Sequence, residues 1–152
     1  MYLDRQNSVS QAQAVTASAV STDTIDLSVA RDVGPGEDLR FVFNVDTTVT
    51  AAGAGTVTFQ VITSAAAALT SPTVIAQTDA IGKAELVAGR RPIEVVIPRS
   101  VLAAQPIGQR YLGVQYTVGT GPLTAGAFTA YIIAGDSVQD VGKNYPAGYT
   151  IL

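Results

Sequence analysis

The chain has 152 residues with a formal net charge of −3, and only 14% of its residues are charged. It contains no cysteine, histidine or tryptophan, which excludes disulfides, thiolate metal sites and any Ser-His-Asp triad. The acidic balance argues against a nucleic-acid partner, because phosphate binding requires a basic surface. We therefore expect a protein that is not an enzyme and that uses no metal and no cofactor.

A membrane location is not expected either. The most apolar runs, such as SAAAAL at residues 64–69, are far shorter than the roughly 20 apolar residues that span a bilayer. The N-terminal block MYLDRQN carries Asp4 and has no continuous apolar region, so it does not resemble a secretion signal. A surface that is rich in Thr, Ser, Gln and Ala is typical of a protein that faces other proteins.

The first half of the chain predicts strands separated by turns. Residues 1–23 are small and polar, which disfavours a helix, and we predict an extended N-terminal arm or loop there. Alternating apolar and polar residues predict strands in TIDLSV at 24–29, LRFVFNV at 39–45 and TVTFQVIT at 56–63. The glycine-rich AAGAG at 51–55 indicates that the last two strands form a hairpin or lie close together.

The second half continues this pattern. We predict strands in SPTVIAQT at 71–78 and IEVVIP at 93–98, with a shorter piece near 85–87. The segment RYLGVQYTVGTGPLTAGAFTAYIIAG, residues 110–135, predicts two strands with a tight turn between them, as a hairpin. About eight short strands at this spacing indicate an all-β, antiparallel β-sandwich of the jelly-roll type.

We expect one domain over residues 1–152, with the sandwich core at 24–135 and a C-terminal tail at 136–152. The tail ends in aromatic and aliphatic residues that suggest docking, either onto the domain itself or onto a partner. Its Tyr145 and Tyr149 are candidate interface residues, because tyrosine offers a large apolar face and a hydroxyl at low entropic cost. The arginines at positions 90, 91, 99 and 110 form one basic group, interpreted as solvated or interface side chains.

Three blocks of the sequence resemble a known family. They are MYLDRQN at the start, STDTIDLSVARDVGPGEDL at 21–39 and QRYLGVQYTVGTGPLTAGAFTAYI at 109–132, and they look like the capsid cement proteins of short-tailed bacteriophages, of the Bordetella-phage type. The resemblance implies a protein made in the bacterial cytoplasm and bound to the outer capsid surface of the virion. It would bridge neighbouring major capsid subunits as a homodimer on local two-fold axes and stabilise the expanded shell.

The resemblance brings no catalytic residue with it. It implies contact elements in the N-terminal block, with Tyr2, Leu3 and Asp4, and in the late hairpin, with Arg110 and Tyr111. Two other functions stay open at this point. A carbohydrate-binding or adhesin-like sandwich of a phage tail or fibre is disfavoured by the missing tryptophan, and a carboxylate-based hydrolase requires a close carboxyl pair in a cleft.

Overall fold

A computed structural model describes residues 5–27, 38–97 and 109–134 of the chain. These residues form ten β-strands and one 3₁₀ turn at Arg5–Asn7, and they contain no α-helix. The strands are β1 (Ser8–Ala14), β2 (Ala19–Val20), β3 (Ile25–Asp26), β4 (Leu39–Ala51), β5 (Thr56–Ser64), β6 (Thr73–Gln77), β7 (Ile81–Gly82), β8 (Ile93–Ile97), β9 (Tyr111–Gly119) and β10 (Leu123–Ala134). The predicted all-β fold is confirmed.

Every pairing between these strands is antiparallel. A four-stranded sheet has the order β1-β10-β4-β8, and a six-stranded sheet has the order β2-β9-β5-β6, with β3 also on β9 and β7 also on β5. The pairs are nested in the sequence: β1 with β10, β2 and β3 with β9, β4 with β8, and β5 with β6 and β7. One long hairpin rolled into two packed sheets gives this nesting, which is the jelly-roll arrangement.

The prediction of an N-terminal arm over residues 1–23 is wrong for the residues that form β1 and β2. β1 pairs with β10, and β2 pairs with β9, so both belong to the sandwich. Val9 and Val15 are buried in the core. The alternation was hidden because β1 carries two register shifts against β10, and each shift moves the following side chains to the other face of the sheet.

The predicted hairpin of β9 and β10 is wrong, and of the two alternatives for β4 and β5 the structure shows near neighbours. β9 and β10 lie in different sheets, and the chain crosses between them through Thr120 and Gly121, whose φ angles are 58° and 95°. β4 and β5 likewise lie in different sheets, but they are neighbours across the core, where the ring centroids of Phe43 and Phe59 are 5.0 Å apart. The alternation of apolar and polar residues shows which face of a strand is buried. This alternation is the same whether the next strand in the sequence pairs with that strand or crosses to the other sheet.

The short strand predicted near residues 85–87 is absent from the structure. β7 lies earlier, at Ile81–Gly82. The loop that follows brings Leu86 into the core, where it is fully buried, and its carbonyl accepts a hydrogen bond of 2.9 Å from the Val49 amide. The apolar residue that suggested a strand is therefore a core residue supplied by a loop.

Aromatic rings from both sheets fill the centre of the sandwich. Tyr116 of β9 stacks on Phe128 of β10 with centroids 5.2 Å apart, and Phe59 of β5 meets Phe128 edge-on, also at 5.2 Å. Phe43 of β4 completes the group, at 6.2 Å from Tyr116. All four rings are fully buried. Each such pair contributes about 0.5–1.5 kcal/mol beyond the burial of its area.

The buried hydroxyl of Tyr116 is satisfied by the edge strand β1. It donates a hydrogen bond of 3.0 Å to Ser10 Oγ, which donates in turn to Gln13 Oε1 at 2.8 Å. Gln13 Nε2 then donates to the carbonyl of Val20 at 2.7 Å. This chain of hydrogen bonds links β1 in one sheet to β9 and β2 in the other. Burial raises the pKa of Tyr116 above its ordinary value.

We expect a loss of stability at alkaline pH that depends on Tyr116. The pKa of Tyr116 is higher in the folded state than in the unfolded state. Its contribution to the free energy of unfolding is therefore complete below about pH 10, the ordinary tyrosine pKa, and is lost as the pH rises beyond that. The free energy of unfolding should fall there by up to about 1.4 kcal/mol per pH unit for this group. Urea denaturation between pH 7 and 11.5 measures the fall.

Tyr116→Phe is the matched variant for this experiment. It removes one buried hydrogen bond, so it should lower stability by about 1 kcal/mol at pH 7 and make the alkaline decline shallower. An unchanged alkaline slope in Tyr116→Phe would show that another group causes the loss.

Candidate protein-interaction surface

The middle of the outer face of the six-stranded sheet, around Gln60, is polar but uncharged. Gln60 of β5 lies between Gln115 of β9 and Gln77 of β6 in the register. Its Nε2 donates to Gln77 Oε1 at 2.7 Å, and its Oε1 accepts from the Thr117 hydroxyl at 2.8 Å. Thr58 lies beside Thr117 in the next row. Such a surface holds hydrogen-bonding groups in fixed positions and contains no charge that would have to be desolvated on binding.

A loop covers part of this face. Leu69, in the connection between β5 and β6, is 2% exposed and has a φ of 53°. It packs over Gly113 so closely that a Cβ on Gly113 would lie 2.5 Å from Leu69 Cδ1 and 2.9 Å from Ser21 Oγ. Ile62, opposite Gly113 in the register, is fully buried although its neighbours Val61 and Thr63 belong to the other face. Because Gly113 has no side chain, Leu69 can pack directly against it, and this contact holds the loop on the sheet.

At the end of the same sheet, four residues form what we call the Arg110 corner: Asp26, Leu27, Arg110 and Tyr111. Arg110 donates from Nε and Nη2 to the two carboxylate oxygens of Asp26, at 2.8 and 2.5 Å. Its guanidinium carbon lies 5.2 Å from the centre of the Tyr111 ring. The side chain of Arg110 remains 50% exposed, and Leu27 is 43% exposed.

The backbone positions these side chains. Asp26 lies opposite Tyr111 where β3 pairs with β9. The Leu27 amide donates to the Arg110 carbonyl at 2.9 Å, and the Arg110 amide donates to the Ser64 carbonyl at 3.1 Å. The corner is thus tied to three strands, although Arg110 itself precedes β9.

The chemistry of the corner suits protein binding. The hydrogen bond with Asp26 raises the pKa of Arg110, so the guanidinium stays charged. A bidentate carboxylate and an aromatic ring hold that guanidinium in one orientation. Arginine and tyrosine are the residue types that most often dominate the energy of interfaces, and a side chain that is already ordered loses little entropy when a partner binds.

The structure brings together two of the seven candidate residues, Arg110 and Tyr111. The others, which are Tyr2, Leu3, Asp4, Tyr145 and Tyr149, lie outside the described residues. Sequence reasoning missed Asp26 and Leu27. Asp26 is 84 residues away from Arg110 along the chain, and only the pairing of β3 with β9 makes them neighbours.

The four arginines do not form one basic group. Arg90 and Arg91 lie in the connection between β7 and β8, beside the middle of β4, because the Gly89 amide donates to the Val45 carbonyl at 3.3 Å. Arg110 lies where β5 ends, and Arg99 is outside the described residues. Arg90 and Arg91 are therefore beside the four-stranded sheet, whereas Arg110 is beside the six-stranded sheet.

Within the described ranges, no three acidic residues lie close enough together to hold a metal ion. That part of the chain also contains no helix of the length and apolarity needed to cross a membrane.

Substitution of Gly113 should test the packing of the loop. Gly113→Val places methyl groups where Leu69 and Ser21 lie, so it should lower the free energy of unfolding by about 1–3 kcal/mol. Gly82→Val is the control, since a Cβ at Gly82 meets nothing within 4 Å. Equal losses in the two variants, measured by urea denaturation, would contradict the proposed packing role.

In a comparison with protein families, the model of the Bbp16 family matches residues 9–132 of the chain. The matched range begins in β1 and ends in β10, so it covers both sheets of the sandwich. The name of this family suggests a protein of a Bordetella phage. A search of the curated proteins found no match.

Proposed function

Because this chain belongs to the Bbp16 family, we propose that it is a capsid cement protein of a phage. A role as a structural protein of the virion is compatible with that family. In our proposal the protein binds the outside of an icosahedral head, bridges neighbouring major capsid subunits and stabilises the expanded shell. It acts by binding alone, without catalysis and without a cofactor.

The Arg110 corner is the observation that carries this proposal. It presents an exposed arginine, fixed by Asp26 at 2.8 Å and by the Tyr111 ring at 5.2 Å, beside the exposed Leu27. A fixed guanidinium can donate hydrogen bonds to a carboxylate or a carbonyl of a partner, while its apolar neighbours bury area against that partner. The uncharged outer face next to it provides further hydrogen-bonding area at low cost of desolvation.

A rigid sandwich can act as a bridge. Two contacts placed on one rigid body make the second binding event intramolecular, so overall affinity exceeds that of either contact. A protein that binds only the assembled lattice stabilises it by mass action, by about 2.7 kcal/mol per site when the free protein is at 100 times its Kd. The close packing of the core favours this role, because a close-packed interior has low compressibility and keeps the two contacts in fixed positions.

Co-sedimentation with expanded phage heads that lack any decoration protein tests the proposal. We expect saturable pelleting at a fixed ratio to the shell subunits, and much weaker binding to free subunits. Binding to free subunits that equals binding to shells would contradict stabilisation of the lattice. Absence of pelleting at micromolar concentrations, together with binding to a glycan array, would favour the carbohydrate-binding alternative.

Variants of the corner should weaken shell binding without unfolding the protein. Arg110→Ala and Tyr111→Ala should each raise the Kd for shells at least about tenfold, as expected for residues that dominate an interface. The exposed ion pair contributes about 1 kcal/mol or less to stability, so the melting temperature should change little.

Arg91→Ala is the matched control for Arg110→Ala, because Arg91 is an exposed arginine just before β8, beside the other sheet. It should bind shells like the wild type. If Arg91→Ala weakened binding and Arg110→Ala did not, the contact would lie beside the four-stranded sheet instead.

A further inference from the structure

The edges of the two sheets differ in how they are protected from further strand pairing. An edge strand presents unpaired backbone groups, which proteins usually block with bulges, prolines, charges or very short strands. The described part of the sandwich has β1 and β8 at the edges of one sheet, and β2, β3, β6 and β7 at the edges of the other. These edges can be compared one by one.

All of these edges except β8 are irregular in register or very short. β1 has two register shifts, and its Ala12 has a φ of 42°. β2, β3 and β7 have two residues each. β6 has a register shift against β5. A second strand cannot pair regularly along any of them.

β8 is neither very short nor irregular. A proline, Pro92, precedes it, and its one charged residue, Glu94, is paired with Arg40 of the same chain at 3.2 Å. The sequence of β8 is IEVVI, and all five of its residues pair with β4 from Leu39 to Phe43 without a register shift. Within the described residues it pairs with β4 alone. Ile93, Val95 and Ile97 are buried on the core side, whereas Val96 on the outer side is 40% exposed. Alternating β-branched residues of this kind are strongly disposed to pair with another strand.

We propose that β8 pairs antiparallel with β8 of a second copy of this chain, about a two-fold axis at Val95. The two four-stranded sheets then become one eight-stranded sheet. This inference rests on the proposed function, since it supplies the surface through which a cement dimer would form. An isologous contact of this kind uses the same surface on both copies, as two-fold symmetry requires.

The pattern of charges favours this register. With Val95 on the axis, Ile93 lies opposite Ile97 of the second copy, and Glu94 lies opposite Val96 of the second copy. The two Glu94 residues are then only diagonal neighbours, which in a sheet lie about 7–8 Å apart. Each is already paired with Arg40 of its own chain at 3.2 Å. The core-side residues continue the apolar face of the sheet from one copy to the next.

Other registers are worse. An axis at Glu94 would place the two Glu94 side chains directly opposite each other, with their Cβ atoms about 5 Å apart, and like charges in that position are destabilising. An axis at Val96 would place Glu94 opposite Pro98, which has no N–H to donate to the partner strand. A shift by a single residue would place core-side residues beside outer-side residues.

Pairing through β8 would leave the Arg110 corner free, because that corner belongs to β3 and β9 of the other sheet. A dimer therefore presents two Arg110 corners related by two-fold symmetry. Two equivalent contacts on one particle are what is needed to hold two neighbouring subunits at once.

Opposite charges at Val96 test both the surface and the register. Val96→Glu places a carboxylate opposite Glu94 of the second copy twice in each dimer, whereas Val96→Lys places an ammonium there. Since Val96 is 40% exposed, both variants should fold, which circular dichroism and the melting temperature check. Sedimentation equilibrium from about 1 to 100 µM gives the dimer Kd.

We expect a wild-type dimer, a Kd at least about tenfold weaker in Val96→Glu, and a Kd in Val96→Lys equal to or tighter than that of the wild type. A wild-type monomer over the whole range would overturn the inference. So would a dimer that both variants leave unchanged, because the contact would then lie elsewhere. Both readings are made without shells, so a dimer that fails to pellet with shells would overturn the cement function and leave the β8 pairing intact.

Discussion

The stack of Tyr116 on Phe128 across the core is the contact on which the rest of this structure depends. It joins β9 to β10, the two strands that follow one another in sequence but lie in opposite sheets. Phe59 and Phe43 pack around the same pair, so each of the four central strands contributes at least one ring. The hydroxyl of Tyr116 extends this contact to the edge strand β1 through Ser10. Core and edge are thereby parts of one cooperative unit.

This central packing also determines where the candidate contact surfaces lie. Because Tyr116 points into the core, Tyr111, five positions earlier on β9, lies on the outer side of the same strand. The ring of Tyr111 is therefore available to Arg110. The Arg110 corner and the edge of β8 belong to different sheets, so the rigid core holds the two surfaces at a fixed separation. A bridging protein requires this arrangement, since each contact must stay in place while the other forms.

The sequence predicts part of this structure, and physical reasons explain the rest. Alternation in β4, β5, β9 and β10 identifies the buried residues, because each of these strands has one face on the core. β1 escapes prediction because its register shifts interrupt the alternation. The crossing of the chain between sheets escapes it too, because a turn of Thr120 and Gly121 serves either a hairpin or a crossing.

The candidate site, like the fold, was only partly predictable from the sequence. Arg110 and Tyr111 come from the family resemblance, but their partner Asp26 is set by a strand pairing between distant parts of the chain. The sequence of β8 looks like that of any other strand, and only the order of strands in the sheet shows that β8 lies at an edge. Long-range pairing, which local patterns do not encode, is therefore the information that the structure adds.

A cryo-electron microscopy reconstruction of expanded heads decorated with this protein would show directly how it sits on the shell. We expect jelly-roll density on the outer surface, with the Arg110 corner turned toward the capsid subunits and each copy in contact with at least two of them. Density in which the corner faces solvent, or a copy that touches one subunit alone, would contradict the proposed bridging role.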